Sequence, residues 1–408
     1  MRALVRISCD INIALPVLSN MNENKKNIPY YEFEVSVVMP CLNEEETIGE
    51  CIKKAFKSFK EHNIKGEVVV SNNGSVDNSV KIAESLGARV VQQPLKGYGN
   101  AYHKGILEAK GKYIVIGDSD DTYDFSELHK FIEPLRNGYD LVMGTRLKGK
   151  ILPGAMPWLH RYIGNPFLSR FLNILYRTGV SDSHCGMRAF TSQAYKKMHL
   201  KSSGMEYASE MVINASKAKL KITEIPIVYY PRKGESKLHS FRDGWRHMRF
   251  MLIYSPTHLF LIPGFLIMFL GLFLLIVLLS GPVKFYGHIF DIHFNVLGGI
   301  LTLLGYQIVN LGIYAKAISY TRNVLIDDKF IINFYKKFTL EKGLYLGLII
   351  FLIGFLINLF ILIVWIKANF GELHRVREAL LGLILIVVGI QTIFSSFLLS
   401  MLKIDREK

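Results

Sequence analysis

Four apolar runs, each close to the length that crosses a bilayer, crowd into the last third of the chain: roughly His258 to Ser280, Phe294 to Ile318, Leu344 to Ile366 and Ala379 to Leu402. Helices that are apolar on every side can only be buried in a large core or face lipid, and four in succession argue for lipid. They predict an all-α membrane domain of four spans over residues 258–402 (258–280, 294–318, 344–366 and 379–402), with a short tail at 403–408. Before about residue 255, charged and apolar residues mix as they do in a soluble domain. A chain of 408 residues therefore divides into one large soluble domain and a membrane part.

The basic residues suggest how the spans are oriented. Arg242, Arg246 and Arg249 precede the first span, Lys329, Lys336, Lys337 and Lys342 lie between the second and third, and Lys403, Arg406 and Lys408 close the chain. The other two connections carry fewer cations, so the soluble domain and the C-terminus are expected on the cytoplasmic side. The net charge of +15 suits an anionic membrane face and phosphate substrates. Nucleic acid would suit it as well, but no nucleic-acid motif is present, and no such partner is expected. The four cysteines, Cys9, Cys41, Cys51 and Cys185, form neither a C-x-x-C pair nor a metal spacing, which fits scattered thiols in a reducing compartment.

Residues 1–33 read as an N-terminal tail without the long apolar stretch of a signal peptide, and Met21 offers a second start. The soluble domain, 34–240, then alternates. Val35 to Met39 reads as a strand broken at Pro40, and Asn43 as the cap of a helix with Ile48, Ile52, Ala55 and Phe59 on one face. Strands follow at Glu67 to Val70, Ala88 to Val91, Tyr113 to Gly117 and Asp140 to Gly144. Helices fall at Asp77 to Leu86, Gly97 to Ala109 and Ser126 to Arg136. This order predicts an α/β fold with a doubly wound, mostly parallel sheet. Ligand-binding loops then gather at the strands' carboxyl ends: Pro40 to Glu45, Ser71 to Asp77, Asp118 to Asp121 and Gly144 to Arg146.

The third of those loops carries the strongest chemical signal, because the apolar run Tyr113-Ile-Val-Ile-Gly117 ends abruptly in Asp118-Ser-Asp-Asp121. In an extended segment Asp118 and Asp120 point to the same side, where two carboxylates can converge on a hard divalent cation, Mg²⁺ or Mn²⁺. Such a cation could bridge a diphosphate and stabilise it as a leaving group. The plainer alternative is an acidic loop that caps the helix from Ser126.

Taken together, the segments Met39-Pro-Cys-Leu-Asn-Glu-Glu45, Asn72-Asn-Gly-Ser-Val-Asp77, Gly117-Asp-Ser-Asp120, Gly144-Thr-Arg146 and Asp182-Ser-His-Cys-Gly-Met-Arg-Ala-Phe190 resemble glycosyltransferase family 2 over about residues 34–240. Within that family the resemblance is to polyprenyl-phosphate (dolichol-phosphate) mannose or glucose synthases, some of which carry C-terminal membrane helices. It implies a GT-A-type fold and transfer of a hexose from GDP-mannose or UDP-glucose to a lipid phosphate, with inversion. By the same resemblance Pro40, Asn43, Glu44, Asn72 and Lys96 would bind the donor, and Asp118 and Asp120 would hold the metal. The chain departs from many relatives at Asn72, where they have aspartate, and at Thr122, where they have glutamine.

The acceptor would need cations. A phosphate monoester has a second pKa near 6, so it is largely a dianion at neutral pH and attacks without a strong general base. By resemblance Arg146 and Arg161 would meet its phosphate, and Arg232 with Lys237, in Arg-Lys-Gly-Glu-Ser-Lys, would form a clasping loop. Arg146 and Arg161 thus join Asp118 and Asp120 as the catalytic set. Glu206 and Glu210, one helical turn apart, are expected to support the site, with Glu210 tying down a basic neighbour. His184-Cys185 reads as a packed loop rather than a metal site or thiol nucleophile.

The stripe Phe241, Trp245, Met248 and Leu252, flanked by Arg242, Arg246 and Arg249, predicts an amphipathic interfacial helix at 241–257. Trp158 to Tyr176, with Arg161 and Arg170, is either a second such helix or a core helix. Two other functions share these features. A processive polysaccharide synthase would carry Gln-x-x-Arg-Trp, whereas the nearest text here is Phe241-Arg-Asp-Gly-Trp-Arg246. A non-catalytic lipid-binding or flippase-type scaffold would be expected to have lost the acidic pair, which is intact.

Overall fold

Strand and helix alternate from Phe33 onward in a computed structural model that describes residues 31–233, 240–321 and 329–407. The residues before 31, together with Lys237 and Lys408, lie outside the described residues. The first strand, β1 (Phe33–Cys41), is flanked on both sides by parallel partners, and Val35, Val37, Val38 and Met39 are all fully buried. A strand covered on both faces carries an apolar run rather than an alternating one. Helix α1 (Ile48–Glu61) buries Ile48, Cys51, Ile52, Ala55 and Phe59, the spacing of a single helical face. Asn43 does not cap it: the helix begins after Thr47, and Asn43 sits five residues before it with φ 54°.

The domain continues through β2 (Gly66–Asn72), α2 (Ser79–Ser85), β3 (Arg89–Gln92), α3 (Tyr98–Glu108), β4 (Gly111–Ile116), α4 (Leu128–Arg136), β5 (Leu141–Ile151), α5 (Asn165–Tyr176), β6 (Arg188–Thr191), α6 (Ser192–Met198), α7 (Tyr207–Lys217) and β7 (Ile222–Tyr229). The seven strands lie in the order β3-β2-β1-β4-β6-β5-β7. All pairs are parallel except those of β6, which runs antiparallel to β4 and β5. The sheet is thus doubly wound and mostly parallel, as expected, with β6 and β7 as additions that the alternation did not reveal. The connections from β1 and β4 leave in opposite directions, which opens a crevice at the carboxyl ends of these strands.

Helix α8 (Ser240–Ile253) leads from this domain toward the membrane part. Its His247 and Met251 are buried, and Met251 joins the core beneath α5 and α7. Tyr176 Oη donates to Met251 O at 2.7 Å, and Arg246 pairs with Glu206 at 3.3 Å. The helix is therefore docked on the catalytic domain by one face, while Trp245 and Ile253 stay exposed on another. Of the expected stripe, Met248 and Leu252 are partly buried, and the Phe241 side chain lies outside the described set.

Among the described residues, four helices are long and apolar enough to cross a membrane: Thr257–Leu279, Ile292–Thr321, Leu340–Lys367 and Val376–Lys403. They correspond to α9 (Ile262–Leu279) with the turn before it, α10 (Ile292–Thr321), α12 (Leu340–Lys367) and all but the last four residues of α13 (Val376–Glu407); a small hairpin of β8 (Val283–Phe285) and β9 (His288–Phe290) and a short α11 (Lys329–Lys337) occupy the connections. α9 packs on α10 and α12 on α13. The seams are lined by glycine because the backbones nearly touch: a Cβ on Gly271 would fall 2.4 Å from Thr302 N, and one on Gly354 2.5 Å from Gly382 O.

Candidate active site

The acidic loop after β4 lies in the crevice, and each carboxylate of the expected pair has one oxygen already engaged. Tyr98 and Tyr102, one turn apart on α3, donate their hydroxyls to Asp118 Oδ1 at 2.9 and 3.1 Å. Thr122 donates Oγ1 to Asp120 Oδ1 at 2.6 Å. Neither Oδ2 atom accepts a hydrogen bond among the described residues, and Gly186 leaves space at Asp118 Oδ2, since a Cβ there would stand 2.6 Å from it. Burial, and then the Asp120 charge, raise the Asp118 carboxyl above the ordinary aspartate value, against the tyrosine hydroxyls and Arg232.

Arg232 stands beside them. Its Nε is 3.6 Å from Asp120 Oδ2 and its Nη2 3.1 Å from Glu44 Oε1. That Nε is buried and makes no hydrogen bond among the described residues. The neighbouring Lys233 bonds Asp121 Oδ2 at 2.8 Å, and Lys54 bonds Asp121 Oδ1 at 2.6 Å. Burial opposes ionisation of Asp121, but its two lysines hold the carboxyl below the usual aspartate range. The third aspartate of the cluster thus fastens the basic segment over the site, a role that sequence reading missed.

Arg146 is placed differently from a free phosphate-binding arginine. Nε and Nη2 bond Asp182 Oδ2 and Oδ1, each at 2.8 Å, and its backbone N–H reaches the same Oδ2 at 3.0 Å. Its guanidinium also stands 5.2 Å over the Tyr229 ring. Burial opposes the charge on Asp182, but the guanidinium wins and lowers that carboxyl below its ordinary value. Nη1 is the nitrogen that Asp182 does not use. Arg161 makes none of these contacts; it lies in a π-helical turn before α5, 5.3 Å over the ring of Tyr162. Arg188, also unforeseen, is almost fully buried and spends its guanidinium on backbone carbonyls of Cys185, Ser183 and Ala208 at 2.7 to 2.8 Å.

The loops after β1 and β2 are laced together. Asn43 Oδ1 accepts from Val76 N at 2.9 Å, and its own N–H donates to Ser75 Oγ at 3.0 Å. Glu44 N donates to Ser79 Oγ at 2.9 Å, which leaves its carboxylate facing Arg232. Asn72 uses both ends of its amide internally, accepting from Ser75 N and donating to Gln92 Oε1. Pro40 O accepts from Ser119 Oγ at 2.7 Å, tying this edge to the acidic loop. Lys96 is exposed beside Gly74.

Glu210 binds the backbone amides of Lys201 and Ser202 rather than a basic side chain. That segment lies against α3 so closely that a Cβ on Gly99 would fall 2.1 Å from Ser202 O. The His184-Cys185 pair is packed inside, and burial pushes the Cys185 thiol up to about 12, out of the nucleophile range. No group of three or more His, Cys, Asp or Glu side chains could hold a metal among the described residues. Asp118 and Asp120 nevertheless fit a hard divalent cation of the Mg²⁺ type, which commonly takes one or two carboxylates and fills its shell with phosphate oxygens and water.

Residues 36–198 match the model of glycosyl transferase family 2, and residues 313–403 match that of the glycosyltransferase family 2 C-terminal transmembrane region. The chain is 42% identical over 369 residues to the low-salt glycan biosynthesis hexosyltransferase Agl6 of Haloferax volcanii, covering 90% of this chain and 89% of that one. It belongs to glycosyltransferase family 2. This glycosyltransferase is also 34% identical over 218 residues to the dolichyl-phosphate hexose transferase of Haloferax volcanii, over 52% of this chain and 91% of that one. Among solved structures it is similar to glucosyl-3-phosphoglycerate synthase from Mycobacterium tuberculosis at 20% identity, covering 54% of this chain and 78% of that one, with a TM-score of 0.43. The transmembrane match and the four apolar helices make this family 2 glycosyltransferase an integral membrane protein.

Proposed function

We propose that this glycosyltransferase moves a hexose from a nucleotide-diphospho-sugar of the GDP-mannose or UDP-glucose class to a polyprenyl phosphate, with inversion, on the cytoplasmic leaflet. One observation carries the reading: an acidic pair suited to a cation and diphosphate has Arg232 beside Asp120, while the adjoining Asp121 holds Lys233, on the segment that precedes the juxtamembrane helix. A polyprenyl chain gains ~0.8 kcal/mol for each buried CH₂ and stays in the bilayer, so the protein must meet its phosphate at the surface. The similarity to a dolichyl-phosphate hexose transferase supports the same acceptor class.

In this reading Asp118 and Asp120 would hold a divalent cation. That cation, Mg²⁺ or Mn²⁺, neutralises charge on the departing diphosphate when bound. Pro40, Asn43, Glu44, Asn72 and Lys96 border the nucleotide, with Asn72 acting through the loop it braces. Arg232, Arg146 Nη1, Arg161 and Lys237 orient the acceptor phosphate, Arg232 leaving Glu44 and Asp120 to do so. An acceptor oxygen attacks the anomeric carbon as the bond to the diphosphate oxygen breaks on the opposite face. The nucleoside diphosphate leaves with the electron pair, and no proton need move because the acceptor is already a dianion. The work of the site is positioning and charge screening.

Exposed Trp158, Tyr162, Phe167 and Ile174 around α5, with Trp245 and Ile253 of α8, supply an apolar and aromatic surface for the bilayer interface. The test is to supply purified protein with Mn²⁺ or Mg²⁺, a polyprenyl phosphate and each of a panel of radiolabelled nucleotide sugars. Label should enter the organic phase from one donor and vanish in Asp120→Ala. Full activity in that variant would remove the acidic pair from the reaction.

A further inference from the structure

The loop that carries Asp182 is joined to α8 by an unbroken line of buried, uncharged polar side chains. Ser169 Oγ on α5 is 3.1 Å from Ser183 Oγ, which is 2.9 Å from His184 Nδ1. His184 Nε2 is 3.2 Å from Ser209 Oγ on α7, and Ser209 Oγ is 2.9 Å from His247 Nδ1 on α8. The two imidazoles also meet edge to face, with centroids 4.4 Å apart. Ser169, Ser183 and Ser209 are at most 2% exposed.

With both imidazoles neutral, the line has a self-consistent order: Ser183 donates to His184 Nδ1, His184 Nε2–H donates to Ser209 Oγ, and Ser209 donates to His247 Nδ1. The reverse order is equally complete. Burial keeps His184 well below the ordinary histidine value and brings His247 down to about 4, so neither ring charges near neutrality. A buried network is directional, and deleting one member leaves its neighbours unsatisfied. The line does not anchor α8 by itself, since Tyr176 and Arg246 hold the same helix from two other directions. What it adds is register between α8 and residues 182–184, immediately beside the carboxylate that grips Arg146.

We propose that Ser209, together with His184 and His247, is a positioning relay that sets the Asp182–Arg146 pair relative to the juxtamembrane helix, and so tunes how the site engages a membrane-held phosphate acceptor. This rests on the proposed assignment of Arg146 to the acceptor. Ser209 touches no reacting group; it acts through the loop.

The experiment uses the full-length protein in lipid nanodiscs with Ser209→Ala and, as the conservative variant, Ser209→Thr. Two quantities are read: the KM values for polyprenyl phosphate and nucleotide sugar, and amide hydrogen exchange over residues 182–187 and 247–253. Ser209→Ala should raise the acceptor KM about tenfold, the effect of one lost buried hydrogen bond, while the donor KM stays within about twofold. Exchange should quicken in both segments together, and Ser209→Thr should restore both readouts. An unchanged acceptor KM with unchanged exchange overturns the relay, as does a parallel loss of both KM values and of thermal stability that threonine fails to rescue. If the wild-type protein transfers nothing to polyprenyl phosphate, the acceptor reading fails, and the exchange data alone still decide whether the loop and helix are coupled through Ser209.

Discussion

Asp182 grips Arg146 through two parallel hydrogen bonds of 2.8 Å, and neither side chain is more than 8% exposed. Removing one member of a buried pair strands the other charge, at a cost of about 3–5 kcal/mol. Asp182→Ala should therefore lower the Tm of the full-length protein by several degrees and abolish transfer. The double replacement Asp182→Leu with Arg146→Met should recover much of the Tm without recovering transfer. Thermal unfolding beside a transfer assay separates the two effects.

Arg232 lies 3.6 Å from Asp120 Oδ2, where its charge competes with an incoming cation. Arg232→Gln should tighten Mn²⁺ binding about three- to tenfold, on the order of 1 kcal/mol for a partly exposed pair. The same change should weaken the acceptor interaction. Electron paramagnetic resonance titration of Mn²⁺ in the absence of acceptor checks the first, and the acceptor KM checks the second.

His247 is held neutral by its burial, with Asp243 and Glu206 favouring the charged ring and Arg246 and Arg188 opposing it. A histidine whose folded pKa is depressed contributes stability in full above its unfolded value of about 6.5, and loses it as pH falls toward the folded value of about 4. Stability should thus fall between about pH 6.5 and 4. In His247→Asn, which cannot titrate, that slope should be shallower. Melting temperatures measured across this window provide the check.

Trp158 and Trp245 are 66% and 56% exposed on the two segments assigned to the membrane surface. In single-tryptophan proteins retaining either residue, brominated lipids should quench the emission strongly. Emission unaffected by bromolipid at both positions would move α5 and α8 off the bilayer.

The α/β alternation was legible because central strands such as β1 are apolar throughout and helices such as α1 show one buried face. β6 escaped notice because four residues, Arg188–Thr191, carry no periodicity and include a fully buried arginine. The acidic pair could be read from a strand that ends in aspartates. Its support by Tyr98 and Tyr102 could not: their one-turn spacing suits any helix, and only the fold brings α3 to Asp118 in the loop after β4. Asn43 looked like a helix cap because its residue type is right; its side chain instead accepts from Val76 N across the next loop, a partner 33 residues away in sequence.

The most direct measurement is mass spectrometry of the lipid product formed from the accepted nucleotide sugar and polyprenyl phosphate. The expected product is a single hexose joined directly to a lipid monophosphate, with nucleoside diphosphate released in equal amount. A sugar polymer, or a nucleotide sugar consumed without any glycosylated lipid, would contradict it.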